Sequence, residues 1–522
     1  MIDVDPRHMQ RAEVSPNTVA SSPTPFARWT HWIALLLLFG AGTAARFLHL
    51  TGKPFWFDEC FSAEIARIDW RNFSHLLWWR EANMSLYYVL LRIWLHFGES
   101  PFFIRSLSVI LSAAGLPAIY WTAKLLYDRR VALISTALLA FNAYSVRYAQ
   151  EARSYALFVL LATLSSGCLI RFLKGPTRRN RIVYVIVSVL AVYAHFYALL
   201  FVAAHWLALR WVGIPEVDSD AQGTARQLRR AWVTIAAAVF PLLVFVAKTG
   251  AGPIKWITRP GIRDIVHFSA DLTSGLPWIY LVACLLALIP LRKKTRASGD
   301  WEAWRVHFLF IWLLFPIVLT LILSFARPVF LARYMIFCIP ALLILAAAGL
   351  AAIRPVWLSA ALVGIVLLLS ARFVPFVYGH DFDDERDASG AATDFILDHT
   401  QPGDAVIFHI AETRIPYEFF RSVRAGENTA SPSFMAQLGP EIVFPRHGDG
   451  LDYRDFTGKP AEDSVRSEVA KHARIWVMLM NNGRAEKPDP TTVMLSQVLP
   501  QSLPRIQSWQ FTRVQVRLYS SQ

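Results

Sequence analysis

The stretch Gly52-Lys-Pro-Phe-Trp-Phe-Asp58-Glu59-Cys60-Phe61 puts two adjacent carboxylates in a loop just beyond the first long apolar run of the chain, residues 29 to 48. Its meaning depends on its surroundings, and those read as membrane. The chain is 55% hydrophobic, 13% aromatic and only 17% charged, far more apolar than a soluble domain of 522 residues. Runs long enough to cross a bilayer occur at 29 to 48, 103 to 126, 131 to 149, 154 to 173, 182 to 196, 197 to 212, 232 to 248, 277 to 292, 306 to 325, 331 to 351 and 356 to 374. The run from 182 to 212 is too long for one helix, and the aromatic cluster Tyr193-Ala-His-Phe-Tyr197 is its turn.

Eleven spans can be tested against charge, because cytoplasmic loops carry the Lys and Arg. With the N-terminus inside, the inner loops hold Arg129-Arg130, Lys174 with Arg178, Arg179 and Arg181, Arg226 with Arg229-Arg230, Arg292-Lys-Lys294 with Arg296, and Arg354. Every strongly basic loop then falls on one side. The outer side receives 49 to 102, 150 to 153, the turn at His195, 249 to 276, 326 to 330 and the tail 376 to 522. The expected protein is a multi-pass protein of the cytoplasmic membrane with this tail outside the cytoplasm.

The net charge of +14 is explained by these loops and does not call for nucleic acid. Cys168, Cys284 and Cys338 lie in apolar runs and Cys60 beside the acid pair, without the spacing of a zinc site or a disulfide framework. Residues 1 to 28, with Asp3, Asp5 and a Ser/Pro/Thr-rich stretch, read as a disordered cytoplasmic tail and not as a cleavable signal. Residues 29 to 375 form the membrane domain.

Residues 376 to 522 read as a small α/β domain. Asp394-Phe-Ile-Leu397 belongs to an amphipathic helix, Ala405-Val-Ile-Phe-His-Ile410 and Ile475-Trp-Val-Met-Leu-Met480 to buried strands, and Val514-Gln-Val-Arg-Leu518 to an alternating terminal strand. Val465 and Val469 share one face of a second helix. Strands alternating with helices predict a partly parallel sheet. The segment has no glycine-rich phosphate loop and is read as an accessory or acceptor-facing domain.

In the first outer loop, Phe61, Ile65 and Ile68 predict an amphipathic helix over 59 to 70 that lies on the membrane surface, with Asp58 at its N-cap. One reading is that Asp58 caps and Glu59 complements the dipole, each worth about 0.5 to 1 kcal/mol. The other is that the pair, flanked by Trp56, Phe57 and Phe61, contains a general base. A second constellation is the turn Tyr148-Ala-Gln-Glu151-Ala-Arg153-Ser-Tyr155, where snorkelling to water competes with a role for Arg153 in holding a phosphate. Arg333, followed by Tyr334, lies two residues inside an apolar run. An unpaired charge costs about 2.5 to 3.5 kcal/mol at a helix centre and less near its end, so an anionic partner is expected. Lys255 and His195 fall on the same outer side.

Taken together, Phe57-Asp58-Glu59, Gln150-Glu-Ala-Arg-Ser-Tyr155, the element Leu86-Tyr-Tyr-Val-Leu-Leu-Arg-Ile-Trp94 and Arg333-Tyr334 resemble, in kind and order, the membrane glycosyltransferases of the protein O-mannosyltransferase and aminoarabinose transferase superfamily. The resemblance runs over about residues 29 to 375. It implies the C-type glycosyltransferase fold, a polyprenyl-phosphate sugar donor, inversion at the anomeric carbon and a site at the outer membrane face. It makes Asp58 the base with Glu59 in the same site. The placement of the charges adds Arg153 and Arg333, with Lys255, as the grip on the donor phosphate, and Glu151, Tyr155, Tyr88, His195 and Tyr334 as supporting residues. Asn83-Met84-Ser85 stands where many bacterial relatives carry a His-Pro-Pro-like run, so the role of that His does not transfer.

The acceptor implied is a hydroxyl on a glycan, lipid or protein. No nucleotide site is needed. No cofactor is required by any motif, although two adjacent acids can hold a divalent cation. A transporter or lipid flippase is the competing reading from the span count; the charges gather at one face and not at the midplane, which counts against it.

Overall fold

The computed structural model describes residues 25–79, 81–215, 221–249, 257–289, 301–379, 386–426, 439–445, 459–480, 483–484 and 487–521. The chain enters as α1 (Pro25–Phe47), followed by three helices of the first loop, α2 (Phe57–Arg67), α3 (Trp70–Trp79) and α4 (Ser85–Leu95). The bundle continues through α5 (Pro101–Leu126), α6 (Arg129–Ala140), α7 (Ala143–Ala149), α8 (Tyr155–Lys174), α9 (Arg178–Ala194), α10 (Ala198–Trp211) and α11 (Ala221–Thr249). It closes with α12 (Ile262–Leu272), α13 (Pro277–Leu286), α14 (Trp301–Ala326), a 3-10 helix over Ala332–Cys338, α15 (Ile339–Ala352) and α16 (Val356–Phe373).

Local chemistry starts several of these helices. Ser100, Asp128, Asn142 and Thr177 sit at N-cap positions, and their side-chain oxygens accept from backbone N–H groups of the first turn. The Asn142 cap breaks the run expected at 131 to 149 into α6 and α7. It accepts from Ser145 N–H at 2.8 Å and donates through Nδ2 to Leu272 O at 3.0 Å. A polar residue tied to a neighbouring turn thus outweighs continuous apolar character. Gly349 has a packing reason: a Cβ there would stand 1.8 Å from Ala283 O, so α13 and α15 pass backbone to backbone.

Among the described residues, seven helices are long and apolar enough to cross a membrane, and eight if the pair α12 and α13, bent by 69°, is one span. The protein is a multi-pass membrane protein. Each of the eleven expected runs carries helix, but α6, α9, α10 and α13, at 12, 17, 14 and 10 residues, are shorter than the roughly 20 residues that span a bilayer unaided. The segments of α8 and α15 are 89% and 83% buried, whereas those of α1, α11 and α16 are 22% buried and face lipid.

After the bundle come α17 (Ser389–His399), β1 (Ala405–His409), α18 (Arg414–Ala425), β2 (Glu441–Phe444), α19 (Glu462–Val469), β3 (Arg474–Met480), α20 (Pro490–Val498), β4 (Arg505–Phe511) and β5 (Val514–Ser520). The sheet order is β2-β1-β3-β5-β4, with β1 parallel to β2 and β3 and the remaining pairs antiparallel. Alternation along β3 divides the core. Ile475, Val477 and Leu479 pack with Val465, Val469 and Leu495, while Trp476 and Met478 pack with Ala392, Ile396 and Val516. The helix and strand positions expected from sequence are present, and α18, α20, β2 and β4 are additional.

Candidate active site

Four separate stretches meet at one end of the bundle, and backbone chemistry fastens them. Phe196 N–H donates to Asn83 Oδ1 at 3.0 Å, Ser85 Oγ to Tyr193 O at 3.3 Å, and Tyr197 OH to Val329 O. In α4, Arg92 donates to Ala66 O and Ile68 O, the open carbonyls at the end of α2. The Leu86 to Trp94 element thereby holds the far end of the helix that carries the acid pair.

That helix differs from expectation in two respects. It begins at Phe57, and its N-cap position is Trp56, which makes no side-chain cap. The cap comes from Asp387, whose Oδ2 accepts from Phe57 N–H at 2.9 Å. Nor does α2 lie on the membrane surface. Cys60, Phe61, Ala63, Ile65 and Ala66 are buried, with α4 on one side and α18 on the other, where Phe55 stacks on Phe419 at 4.9 Å. In the first loop it is α3 that leaves large aromatic residues exposed, namely Trp70, Trp78 and Trp79.

The two acids have unlike surroundings. Glu59 is fully buried and bidentate with Arg105, through Nε at 2.8 Å and Nη2 at 2.7 Å. It also accepts from Ala152 N–H at 2.9 Å and lies 3.3 Å from Arg386 Nη1. Burial alone would raise its pKa, but Arg105, Arg386 and the Ala152 N–H outweigh burial and hold it below the usual carboxylate range. Arg386 also reaches Glu151 at 3.0 Å. Glu59, Arg105, Glu151 and Arg386 therefore form a neutral buried network, and neither acid faces an open site.

Asp58 is 18% exposed at its side chain, with its Oδ2 3.8 Å from Arg153 Nη2 and 3.9 Å from Arg333 Nη2. That oxygen has no hydrogen-bond partner among the described residues. Arg153 is oriented by contacts of its Nη1 with Asp58 O at 3.3 Å and Ser62 Oγ at 3.4 Å. Arg333 sits on the 3-10 helix, and its expected anionic partner is Asp58.

Aromatic residues enclose this acid and its two cations. Tyr88 and Tyr155 are buried, their hydroxyls unpartnered among the described residues, within electrostatic reach of Arg153 and Asp58. His195 stacks on Phe158 at 5.0 Å and meets Tyr334 edge-on at 4.8 Å. It accepts at Nδ1 from Tyr197 N–H at 3.2 Å, which places it in the wall. Lys255 lies outside the described residues.

Solved structures share the fold of the chain. ArnT from Cupriavidus metallidurans in the apo state superposes with a TM-score of 0.58 at 13% identity over 95% of this chain and 99% of that one. The same protein bound to undecaprenyl phosphate gives 0.57 at 15%, over 94% and 98%. The Archaeoglobus fulgidus oligosaccharyltransferase in complex with zinc and sulfate gives 0.50 at 10%, over 85% and 67%. The chain has the C-type glycosyltransferase fold. No family model matches the sequence, and a search of curated proteins gives no match.

Within this C-type glycosyltransferase fold, four charged residues of the site region escaped the sequence reading. Arg105 could have been found by the argument applied to Arg333, since it too stands just inside an apolar run. Glu81 had no motif around it. It is half-buried near Arg153 and Asp58, and burial, reinforced by Asp58 and opposed by Arg153, pushes its carboxyl up to about 7. Arg386 and Asp387 sit in a polar tail, where nothing in the sequence distinguishes them from solvated charges. Among the described residues no three His, Cys, Asp or Glu side chains gather as a metal site.

Proposed function

We propose that this chain transfers a sugar from a polyprenyl-phosphate donor to a hydroxyl acceptor, with inversion, at the outer face of the cytoplasmic membrane. The observation that carries this reading is Asp58: one carboxylate, relieved of capping and, among the described residues, without a hydrogen bond at Oδ2, facing two arginines from different elements at 3.8 and 3.9 Å. Those distances are too long for hydrogen bonds, so an anion arriving at the two arginines displaces no hydrogen bond to Asp58 Oδ2. The fold shared with a protein solved with undecaprenyl phosphate supports a polyprenyl phosphate as that anion.

In this mechanism Arg153 and Arg333 hold the donor phosphate by charge-assisted hydrogen bonds. The acceptor oxygen attacks the anomeric carbon from the face opposite the phosphate. Asp58 takes the hydroxyl proton as the new C–O bond forms and the bond to the phosphate oxygen breaks. Polyprenyl phosphate leaves with its added negative charge balanced by the two arginines. A phosphate is already a competent leaving group, so positioning and electrostatics do most of what the protein supplies. Glu59 and Glu151 act as positioning residues through the network that fixes α2 and the Arg153 turn. Lys255 remains a proposed third cation. If a divalent cation takes part, Asp58 and Glu81, which influence one another electrostatically, are the described carboxylates that would hold it, and it would supply positive charge against the leaving phosphate.

Purified protein with a polyprenyl-phosphate sugar and a mixed acceptor extract tests this reading. Acceptor-dependent release of polyprenyl phosphate is expected; translocation of the intact donor without cleavage would favour a flippase.

A further inference from the structure

At the end of the bundle away from Asp58, α9 and α11 enclose a groove of about 660 Å³. The chain topology fixes this placement, since α8 runs from the Arg153 turn to Lys174, and α9 returns from Arg178 to His195. The groove mouth carries Arg181, Arg229 and Arg230, and its wall carries Val185, Ile186 and Val233. Among the described residues these three guanidinium groups take part in no ion pair or side-chain hydrogen bond. The hydrophobic residues are open to lipid, with Ile186 51% and Val233 64% exposed.

The order of residues along each helix gives the groove a direction. Arg181 precedes Val185, and Arg229 precedes Val233, by four residues, so these two cations each stand about 6 Å along the helix from an apolar residue on the same face. The walls are fixed: Gln227 Nε2 donates to Pro176 O at 3.1 Å, and Trp232 Nε1 donates to Tyr184 OH at 3.3 Å. A cationic mouth leading to an apolar trough matches an amphiphile whose anionic head lies at the interface and whose chains run down the bundle. Three arginines exceed what one monoanionic headgroup neutralises.

We infer that this groove binds a membrane phospholipid with a doubly anionic headgroup, of the diphosphatidylglycerol type, at the membrane face opposite the Asp58 site. The inference rests on the membrane-spanning fold and holds whether or not the proposed sugar transfer is correct. Basic pockets between spans recognise such headgroups, and each arginine near the surface is worth about fivefold in affinity.

The test is native mass spectrometry of the detergent-solubilised full chain titrated with tetraoleoyl diphosphatidylglycerol, dioleoyl phosphatidylcholine or undecaprenyl phosphate. The diphosphatidylglycerol should be retained about 100-fold more tightly than phosphatidylcholine, as three arginines at about fivefold each allow. The triple variant R181Q/R229Q/R230Q should lose that preference, whereas R181K/R229K/R230K should keep most of it. Asp58→Asn and Arg333→Gln should bind diphosphatidylglycerol normally, which separates this site from the proposed donor site. Equal retention of phosphatidylcholine, unchanged affinity in the triple Gln variant with an unaltered melting temperature, or selective loss of undecaprenyl phosphate from that variant would overturn the inference.

Discussion

Asp387 caps the helix that carries Asp58: its Oδ2 accepts from Phe57 N–H at 2.9 Å across 330 residues of sequence. A distant carboxylate satisfies the first free donor of α2, so Asp58, one residue further along, is not needed there. The cap separates two roles that a sequence reading assigns to one residue. Asp387→Ala should cost about 0.5 to 2 kcal/mol of stability and lower transfer by loosening the start of α2, while Asp387→Asn or Ser should restore both. Thermal unfolding together with kcat for the three variants checks this. Equal loss in all three would mean that the charge of Asp387, and not its cap, is what matters.

Asp58→Asn should fold and insert normally, because Asp58 is not the cap. General-base assistance is worth about 100- to 10,000-fold in rate, so transfer should fall by at least about 100-fold while donor binding persists. Single-turnover transfer measured with saturating donor distinguishes the two. A near-normal rate would remove Asp58 as the base.

Arg153→Ala and Arg333→Ala should each weaken donor use by about 1.5 to 3 kcal/mol, the worth of a charge-assisted hydrogen bond. Lysine should rescue only partly, since it lacks the planar fork. Donor titration of kcat/KM against an unchanged acceptor dependence is the measurement.

Arg386→Ala leaves Glu59 and Glu151 buried with a cation removed, and breaking such a network by one partner costs about 3 to 5 kcal/mol. The melting temperature should drop sharply, and proteolysis should open the segment around α2 first. If Arg386→Ala is as stable as the parent protein, the network does not join the tail to the loop.

Glu81 sets a pH dependence with a definite sign. Its folded carboxyl is pushed up to about 7, above the ordinary 4.5, so the folded chain keeps a proton that the unfolded chain releases. The stability linked to that proton is complete below about 4.5 and is lost as pH rises through about 7. Ionised Glu81 also competes with a donor phosphate for Arg153, so donor KM should increase as pH rises through about 7. In Glu81→Gln that increase should vanish; an identical pH profile would place Glu81 outside the donor site.

The sequence reading succeeded where periodicity or local charge carried the signal. The runs at 103 to 126, 154 to 173 and 306 to 325 became long helices, and the terminal strand β5 alternates over Val514 to Leu518 as its residues predict. The cluster of Asp58, Arg153 and Arg333 was legible because each is a charge beside an apolar run. The reading failed where the decisive partner lies far along the chain. Nothing near Glu59 says that Arg105 and Arg386 occupy it, and nothing near Asn142 says that Leu272 O takes its amide and stops a helix. The amphipathic pattern of α2 could not tell lipid from α18 as its apolar partner.

The long reach of Asp387 back to Phe57 also sets an order of events during synthesis. The first loop is made early, but the residue that fastens the start of α2, and the arginine that balances Glu59 and Glu151, arrive only after the last long apolar helix has been made. A half-finished chain therefore holds Asp58 on an unfastened helix. Under the proposed mechanism, transfer waits until the tail has been made and folded, so completion of the polypeptide acts as the licence for that chemistry.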